Sequence, residues 1–574
     1  MYRGIGVSKG IGIGNVLVVN NEEIVVDVYK VDNVSEEKAH FDAALKELTR
    51  KTEAIIEELY REGKKDSADI LQGQLYFLSD PSLISGVHNI IENDKVCASA
   101  AVDDTFHFYY RMLMSAEDEV TKQRAYDVMD LRNRLLKIIM GIEDVPLGNL
   151  KPNTIIVAKE LSPSVTAVMD TKNVSGIVTE NGGETSHVAI LAKALDIPAV
   201  LSVKKICRNI KNNDIVIVDG ILGEVYVNAS DSTVELFQKK RLEYIEKKTE
   251  LNRYAGKETV TADGKTVLLY GNVGTIDDIK RVMEMDAEGV GLFRTEFLFM
   301  NRSVLPTEEE QFEIYKRAAI MLKNKELIIR TLDIGGDKDI PYLGMKKENN
   351  PFLGFRAIRY CLKNNEIFTG QLRAILRASA YGNVKIMIPL VTTVDEVVAV
   401  KKLLHKIQKE LREENIEFND RISLGVMMET PAAGMISDII AKEVDFFSIG
   451  TNDLIQYTMA VDRGNENVAY LYSQYNPAVL RMIATIIKNA KENNIPVGMC
   501  GEAASDARMI PVLLGFGLDE FSVTSSMVLE TRKNIARWSS EECSEMAQVV
   551  LGLSTAKEVV KYLDAKINGT VTRK

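Results

Sequence analysis

The chain has 574 residues, 46% of them hydrophobic and 27% charged, with a net charge of −11 at pH 7, which allows several buried cores but argues against nucleic acid or an anionic membrane as the main partner. No run of about 20 apolar residues is present to cross a bilayer, and the opening Met-Tyr-Arg-Gly-Ile-Gly-Val-Ser does not read as a signal peptide. The five cysteines, Cys97, Cys207, Cys361, Cys500 and Cys543, are widely spaced with no CxxC pair, so a disulfide framework or zinc site is disfavoured and a reducing, cytoplasmic setting is expected.

Gly4 to Asn20 reads as short strands punctuated by glycine. From about Ser35 to Ile142 the texture turns helical. Phe41, Leu45, Leu48, Ile55 and Leu59 recur at helical spacing, as do Leu131, Leu135, Ile138 and Ile139. Prolines and glycines are sparse there, so long antiparallel helices are expected. Between Leu147 and Asn228 short β-branched runs return: Thr154–Ala158, Gly176–Val178, Ala199–Ser202, Asp214–Asp219 and Gly223–Asn228. Strands on both sides mark the helical block as an insertion into a small α/β domain.

Inside that domain lies Gly182-Gly-Glu-Thr-Ser-His187, followed by helical spacing that puts Val188, Leu191, Ala192 and Leu195 on one face. Thr185 or Ser186 can cap the helix, and the paired glycines allow a sharp turn. A histidine at a helix N-terminus stands in a partly positive field, which disfavours imidazolium and favours an anionic phosphate nearby. His187 is therefore a candidate nucleophile for phosphoryl transfer. The bland alternative is a histidine in a glycine-rich turn, and the segment alone does not decide between them.

Ser232 to Tyr254 forms a charged, helix-prone connector. After about Thr261 apolar runs alternate with helical stretches: 267–273, 289–293, 327–332, 384–388, 424–428, 445–449, 495–499 and 520–523. Eight such runs over about 300 residues predict a (β/α)8 barrel, with an open doubly wound sheet as the alternative. Barrel chemistry sits beyond the C-terminal ends of the strands. Polar groups fall there repeatedly: Arg294-Thr-Glu296, Arg330 running into Asp333 and Lys338, Glu429-Thr-Pro431, Gly450-Thr-Asn-Asp453 with Arg463 beyond, and Cys500-Gly-Glu502. Arginines suit phosphate and carboxylate. Glu429 and Asp453 are oxygen donors of the kind magnesium prefers. Cys500 is a thiol whose tuned pKa would make it a proton donor. Its alternative is a buried, inert thiol.

These motifs resemble the enzyme I family of the bacterial sugar phosphotransferase system, the phosphoenolpyruvate–protein phosphotransferases. The resemblance spans almost the whole chain. It is carried by Gly182–His187, Gly291–Met300, Arg330–Lys338, Asn350–Arg356, Glu429–Ala433, Gly450–Tyr457 and Met499–Glu502. It implies a multidomain α/β protein: a swivelling phosphohistidine domain over 1–20 and 147–230, a helical phosphocarrier-binding insertion over 21–146, a helical linker over 231–260, and a phosphoenolpyruvate-binding, dimerising (β/α)8 barrel over 261–574. It further implies that His187 takes the phosphoryl group from phosphoenolpyruvate and passes it to the histidine phosphocarrier protein HPr. Arg294, Arg330, Lys338, Arg356 and Arg463 would hold the substrate with help from Asn452. Glu429 and Asp453 would bind Mg2+, Cys500 would protonate the enolate to give pyruvate, and the barrel would form a homodimer. In-line attack needs reacting atoms within roughly 3–3.5 Å, so the connector 232–254 and the loop near 142–146 are candidate hinges.

The chain departs from the family pattern at several points. Glu184 stands where the family usually has arginine, and its carboxylate would repel a phosphohistidine. Gln72-Gly73-Gln74 replaces an acidic–small–histidine pattern in the docking helices. Ser505 replaces a glycine, and Ser525, Ser526 and Leu529 differ near the last strand. Two other readings compete. A nucleotide-dependent phosphoenolpyruvate synthase type would need a further nucleotide-binding module, for which the chain has neither room nor a P-loop pattern. A phospho-sensor that has lost efficient catalysis is opposed by the intact Arg, Lys, Glu, Asp and Cys set.

Overall fold

The β-branched runs on either side of the helical block come together in one sheet. The computed structural model describes the chain apart from residues 20–23, 25, 62–64, 116–118, 143–146, 149, 162–164, 167–168, 184–185, 301, 303, 336–339, 347, 466 and 572–574, and gives no side-chain environment at 58–59, 65–67, 70, 119–123, 126, 187, 190, 194, 341 and 570–571. It divides into two units, Met1–Lys248 and Thr249–Lys574.

The first unit is built on β1 (Tyr2–Arg3), β2 (Ile5–Ser8), β3 (Ile11–Val19), β4 (Thr154–Ala158), β5 (Val174–Thr179), β6 (Ala199–Leu201), β7 (Ile215–Asp219) and β8 (Glu224–Val227). Their order is β1-β8-β7-β3-β4-β5-β6-β2. At the centre β3 runs parallel to β4, with Asn15 opposite Thr154, and antiparallel to β7. Side chains alternate across the sheet, as strand geometry requires. Ile156, Ala158 and Ile177 pack against Val188, Ala189 and Ala192 of the helix His187–Ala194. Ile155, Val157 and Val178 face the other way, onto Val203, Ile206 and Ile210. Gly14 is pressed so closely that a Cβ would lie 1.7 Å from the Asn153 carbonyl oxygen, which no larger residue could tolerate.

Among the described residues between β3 and β4 lie the helices Val34–Arg61, Lys65–Leu78, Pro81–Asp94, Ala98–Met114 and Glu119–Met140. Phe41, Leu48, Leu83, Ile91, Phe106, Leu131 and Leu135 form their core. The third helix starts where Pro81 fixes the first turn and the Asp80 carboxylate accepts the Ser82 amide at 2.7 Å. One expectation fails on the helix that follows His187. Leu195 is not on the buried face: the helix ends at Ala194, Leu195 is its C-cap, and Asp196 turns left-handed at φ 57°. Leu195 is left 37% exposed.

The second unit is a closed parallel barrel. Its strands are β9 (Leu268–Val273), β10 (Gly289–Arg294), β11 (Glu326–Arg330), β12 (Val384–Ile388), β13 (Leu424–Met428), β14 (Phe446–Ile449), β15 (Val497–Met499) and β16 (Glu520–Val523). Pairing of β16 with β9, Glu520 opposite Leu268, closes the ring and disposes of the open-sheet alternative. Helices cover the outside, burying Phe312, Tyr315, Phe368, Leu372, Ile483 and Ile487 with the outward faces of the strands. Inside, Leu292, Ile328, Met387, Met427, Phe446 and Cys500 form a separate apolar cluster drawn from six neighbouring strands or their ends. Asn272 on β9, Ser448 on β14, and Glu520 and Ser522 on β16 add polar groups to the ring, with Ser448, Ser522 and Glu520 buried.

Candidate active site

Strands β10, β11, β13, β14 and β15 each deliver their last residue, or the one just after, to a common mouth. A cavity of about 360 Å³ opens there, lined by Arg294, Glu296, Arg330, Asp333, Arg356, Glu429, Asn452, Asp453, Arg463, Cys500 and Glu502 with Leu292, Phe297, Met300, Met427, Gly450 and Gly501. The structure thus brings together Arg294, Arg330, Arg356, Glu429, Asn452, Asp453, Arg463 and Cys500. Lys338 lies outside the described residues.

Most of the guanidiniums are held by carboxylates. Arg330, buried at the end of β11, donates to Glu296 at 2.6 Å and pairs with Asp333 at 3.2 Å. Its Nε is buried with no hydrogen-bond partner. Arg356 donates to Asp333 at 2.9 Å, to Asp453 at 3.0 Å and to the Tyr457 hydroxyl at 3.2 Å. Arg463 approaches the other Asp453 oxygen at 3.5 Å. The Phe352 ring lies 5.7 Å from both the Arg356 and Arg463 guanidinium carbons, a cation–π arrangement that fixes their planes. Among the described residues Arg294 has no ion-pair or hydrogen-bond partner, and its charge bears on Cys500. The backbone beside Arg356 is constrained as well. Ala357 sits at φ 51°, its amide bound to the Ile334 carbonyl at 3.1 Å, and Gly335 at φ 102° gives the Arg356 side chain its room. A non-glycine residue held at positive φ is a form of strain that clusters at functional sites.

Glu429 follows β13 and accepts the Leu390 amide at 2.7 Å. Burial pushes its carboxyl up, the Asp453 and Asp333 carboxylates push it further, and Arg330 and Arg356 offset part of this. Four arginines therefore face five carboxyls, with Glu429 and Asp453 crowding each other. A divalent cation fits that pair: both are hard oxygen donors, and a cation would relieve the repulsion that raises Glu429. Among the described residues no set of three or more His, Cys, Asp or Glu side chains is arranged for a metal, so substrate oxygens and water would complete the shell. Asp453 and Asn452 open the helix Thr451–Met459. The Asn452 amide is fixed by the Glu502 carboxylate and amide, each at 3.2 Å.

Cys500 is 5% exposed. Burial, above all, pushes its thiol up to about 11; Ser448, Arg330 and Arg294 pull it down and Glu429 pushes it up. At neutral pH it is a protonated thiol, suited to give a proton rather than to attack.

His187 is placed in the first unit as the opening residue of the helix His187–Ala194. Ser186, not Thr185, is the cap: its hydroxyl accepts the Ala189 amide at 3.3 Å. Gly182 turns at φ 109°, and its carbonyl is pinned by the Ser202 hydroxyl at 2.6 Å. The His187 side chain, Glu184 and Thr185 lie outside the described part. The departure at Gln74 falls in the helix core: Gln74 is buried, and its oxygen accepts from Arg134 at 3.4 Å. The sequence places Glu296 and Asp333 among the polar groups at the strand ends without giving them a role, and it does not single out Phe352 or Tyr457. Each stood inside a quoted motif, but only the folded loops show them gripping the arginines.

Three family profiles match the chain: "PEP-utilising enzyme, N-terminal" over residues 3–124, "PEP-utilising enzyme, mobile domain" over 150–223, and "PEP-utilising enzyme, PEP-binding domain" over 248–540. The phosphoenolpyruvate-protein phosphotransferase of Priestia megaterium is 44% identical over 561 residues, covering 98% of this chain and 98% of its own. That of Bacillus subtilis (strain 168) is 44% identical over 561 residues, again 98% of each chain. That of Buchnera aphidicola subsp. Schizaphis graminum is 42% identical over 569 residues, 98% of this chain and 99% of its own.

Proposed function

The chain belongs to the family of phosphoenolpyruvate–protein phosphotransferases, and from that premise we propose how its residues divide the reaction. Phosphoenolpyruvate gives its phosphoryl group to His187, which passes it to the histidine phosphocarrier protein HPr, and pyruvate is released. The observation that carries this reading is the barrel-mouth cavity, where four arginines, a carboxylate pair and a protonated thiol converge. Such a set matches an anionic substrate, its counter-cation and the proton that the product needs.

Arg294, Arg330, Arg356 and Arg463, with Lys338, hold the substrate phosphate and carboxylate, and Asn452 adds a hydrogen bond. Binding exchanges some of the arginine–carboxylate pairs for arginine–substrate pairs. Glu429 and Asp453 would hold Mg2+, which when bound offsets the negative charge of the phosphate. In phosphoryl transfer the C–O–P linkage breaks at phosphorus while an N–P bond forms at His187. The helix N-terminus that His187 opens favours the phosphate it receives. The enolate left behind takes the Cys500 proton at carbon: the S–H bond breaks as C–H forms, and the thiolate recovers its proton from water once pyruvate leaves. Such catalysis is mainly positioning and charge neutralisation.

Several features support the partners in this reading. Tyr76, Phe108 and Met112 are large and exposed on the helical segment between β3 and β4, surface of a kind that a protein partner covers and a place for HPr to dock. Leu353, Met435 and Tyr470 are exposed on the barrel and favour its association as a homodimer. Among the described residues no helix is long and apolar enough to cross a membrane, and the unpaired cysteines suit a cytoplasmic location.

The test uses purified protein, phosphoenolpyruvate labelled at phosphorus, and Mg2+ without nucleotide. Label should appear on His187, fail to appear in His187→Ala, and move to added HPr. A nucleotide requirement, or label that HPr cannot collect, would sink the proposal.

A further inference from the structure

We propose that Asn272 is a positioning residue for the Cys500 thiol and holds it on one face of the enolate, an inference that rests on Cys500 as the proton donor. Beside its contact with Ser448, the thiol has one long hydrogen bond of its own. Its hydrogen bond to the Ile449 carbonyl is 3.9 Å long, so the backbone at Cys500 decides where the sulfur points. That backbone has just left the barrel ladder. Strand β15 is only three residues long, and its last partner across to β16 is Met499 opposite Phe521. The next pair in register, Cys500 and Ser522, has no ladder contact.

Asn272 bridges that opening. It stands near the end of β9, on the far side of β16 from Cys500. Its amide nitrogen donates to the Cys500 carbonyl at 3.0 Å and to the Ser522 carbonyl at 3.1 Å. Its oxygen accepts the Ser522 hydroxyl at 2.8 Å. One planar group thus ties together two strand ends that no longer bond to each other. The bridge needs two N–H donors and an acceptor in one short, rigid side chain, which among residues of this size only asparagine supplies.

The remaining sides of Cys500 are also closed. Its amide donates to the Ile449 carbonyl at 3.2 Å. The next residue, Gly501, is packed so tightly that a Cβ would lie 1.8 Å from the Thr451 hydroxyl. The carbonyl held by Asn272 is therefore the side on which the cysteine can still rotate. Without that hold the thiol would swing from its place beside Arg330 and Arg294, and water would protonate the enolate in its stead.

The test uses the full-length protein with Mg2+ and HPr, comparing Asn272→Ala, Ser522→Ala and Cys500→Ala with wild type. Three quantities are read: kcat, KM for phosphoenolpyruvate, and the configuration of the pyruvate methyl group formed in heavy water from substrate stereospecifically tritiated at C3. For Asn272→Ala we expect kcat to fall about 10²-fold, the usual cost of misplacing a reacting group by roughly 1 Å, with KM little changed. The methyl group should lose its single configuration. Ser522→Ala, which removes only the hydroxyl that orients the amide, should move both readouts the same way by less. Unchanged kcat and an unchanged single configuration in Asn272→Ala would overturn the proposal. Should that variant fail to fold, the same result in Ser522→Ala would do so. If Cys500→Ala keeps wild-type kcat and selectivity, the donor assignment itself falls. If Cys500→Ala is defective while Asn272→Ala is not, only the role of Asn272 falls.

Discussion

Arg294 differs from the other arginines of the mouth in having no partner among the described residues, whereas Arg330 and Arg356 are locked to Glu296, Asp333 and Asp453. The difference predicts two kinds of loss. Arg294→Ala should remove charge-assisted bonds to substrate, worth about 1.5–3 kcal/mol each, and lower kcat/KM by roughly 10- to 150-fold. The melting temperature should barely move, because no buried carboxylate is orphaned. Arg356→Ala should also unfold several degrees earlier, since breaking a buried pair costs about 3–5 kcal/mol. Steady-state kinetics and thermal unfolding on both variants check this, and equal melting temperatures would refute it. A second residue-scale prediction concerns Glu184, beside the His187 helix. Replacing a negative charge by a positive one three residues from the phosphate favours the phosphate by about 0.2–1 kcal/mol for each charge altered. Glu184→Arg should therefore lengthen the phosphohistidine half-life several-fold in a hydrolysis time course. An unchanged half-life would remove Glu184 from the account.

Strand β16 carries an unusual element of the barrel, because it begins with a buried acid. Burial, then the nearby Glu326 carboxylate, pushes Glu520 up to about 8, and Lys385 offsets part of this. One of its oxygens is buried without a hydrogen-bond partner. The unfolded chain gives up this proton near 4.5 and the native barrel near 8, so between those values the native state holds the extra proton. Stability from this group is greatest below about 5. It falls as pH rises towards 8, by up to about 1.4 kcal/mol per pH unit, and levels off above. Glu520→Gln cannot ionise, so it should gain stability over wild type as pH rises from 5 to 8 in denaturant titrations. A constant difference across that range would exclude the assignment. The sequence announces β16 itself plainly, as it does the other seven barrel strands, whose observed ends lie within about two residues of the apolar runs. Periodic apolar runs report which face of an element is dry. They do not report a polar group carried inward, so the bridging by Asn272 and Ser522 was not legible. Glu296 and Asp333 were legible as motif members, but their grip on Arg330 and Arg356 depends on how two loops fold back. Leu195 misled for a local reason: the helical period runs one residue past the left-handed turn that ends the helix.

At the scale of the whole chain the proposed chemistry is divided between two units with separate cores, the proposed acceptor His187 in one and the arginine-lined cavity in the other. The helix Asp231–Asn252 runs from the first into the second. Phe237, near its start, is buried with Ile11 and Ile217 of the first unit. In its last turn Glu250 pairs with Lys533 at 2.7 Å, and just past its end the Tyr254 carbonyl accepts from the buried Arg532 at 2.9 Å. The two ends of the helix thus belong to different cores, and a cut between Lys248 and Thr249 severs no core cluster. Residues 1–248 and 249–574, produced separately, should each fold. The second piece should bind phosphoenolpyruvate with Mg2+ within a few-fold of the full protein's affinity, measured by calorimetry, because every described residue of the cavity is its own. The first piece should accept a phosphoryl group on His187 from phosphorylated HPr, since that exchange needs only the acceptor and the docking helices. It should accept none from phosphoenolpyruvate alone. Mixing the pieces at about 10 μM should restore transfer at roughly a hundredth of the intact rate, because tethering supplies an effective concentration on the order of 1 mM. A mixture as fast as the intact chain would mean that the linker contributes nothing. A second piece unable to bind substrate would mean that the cavity borrows a residue from the first.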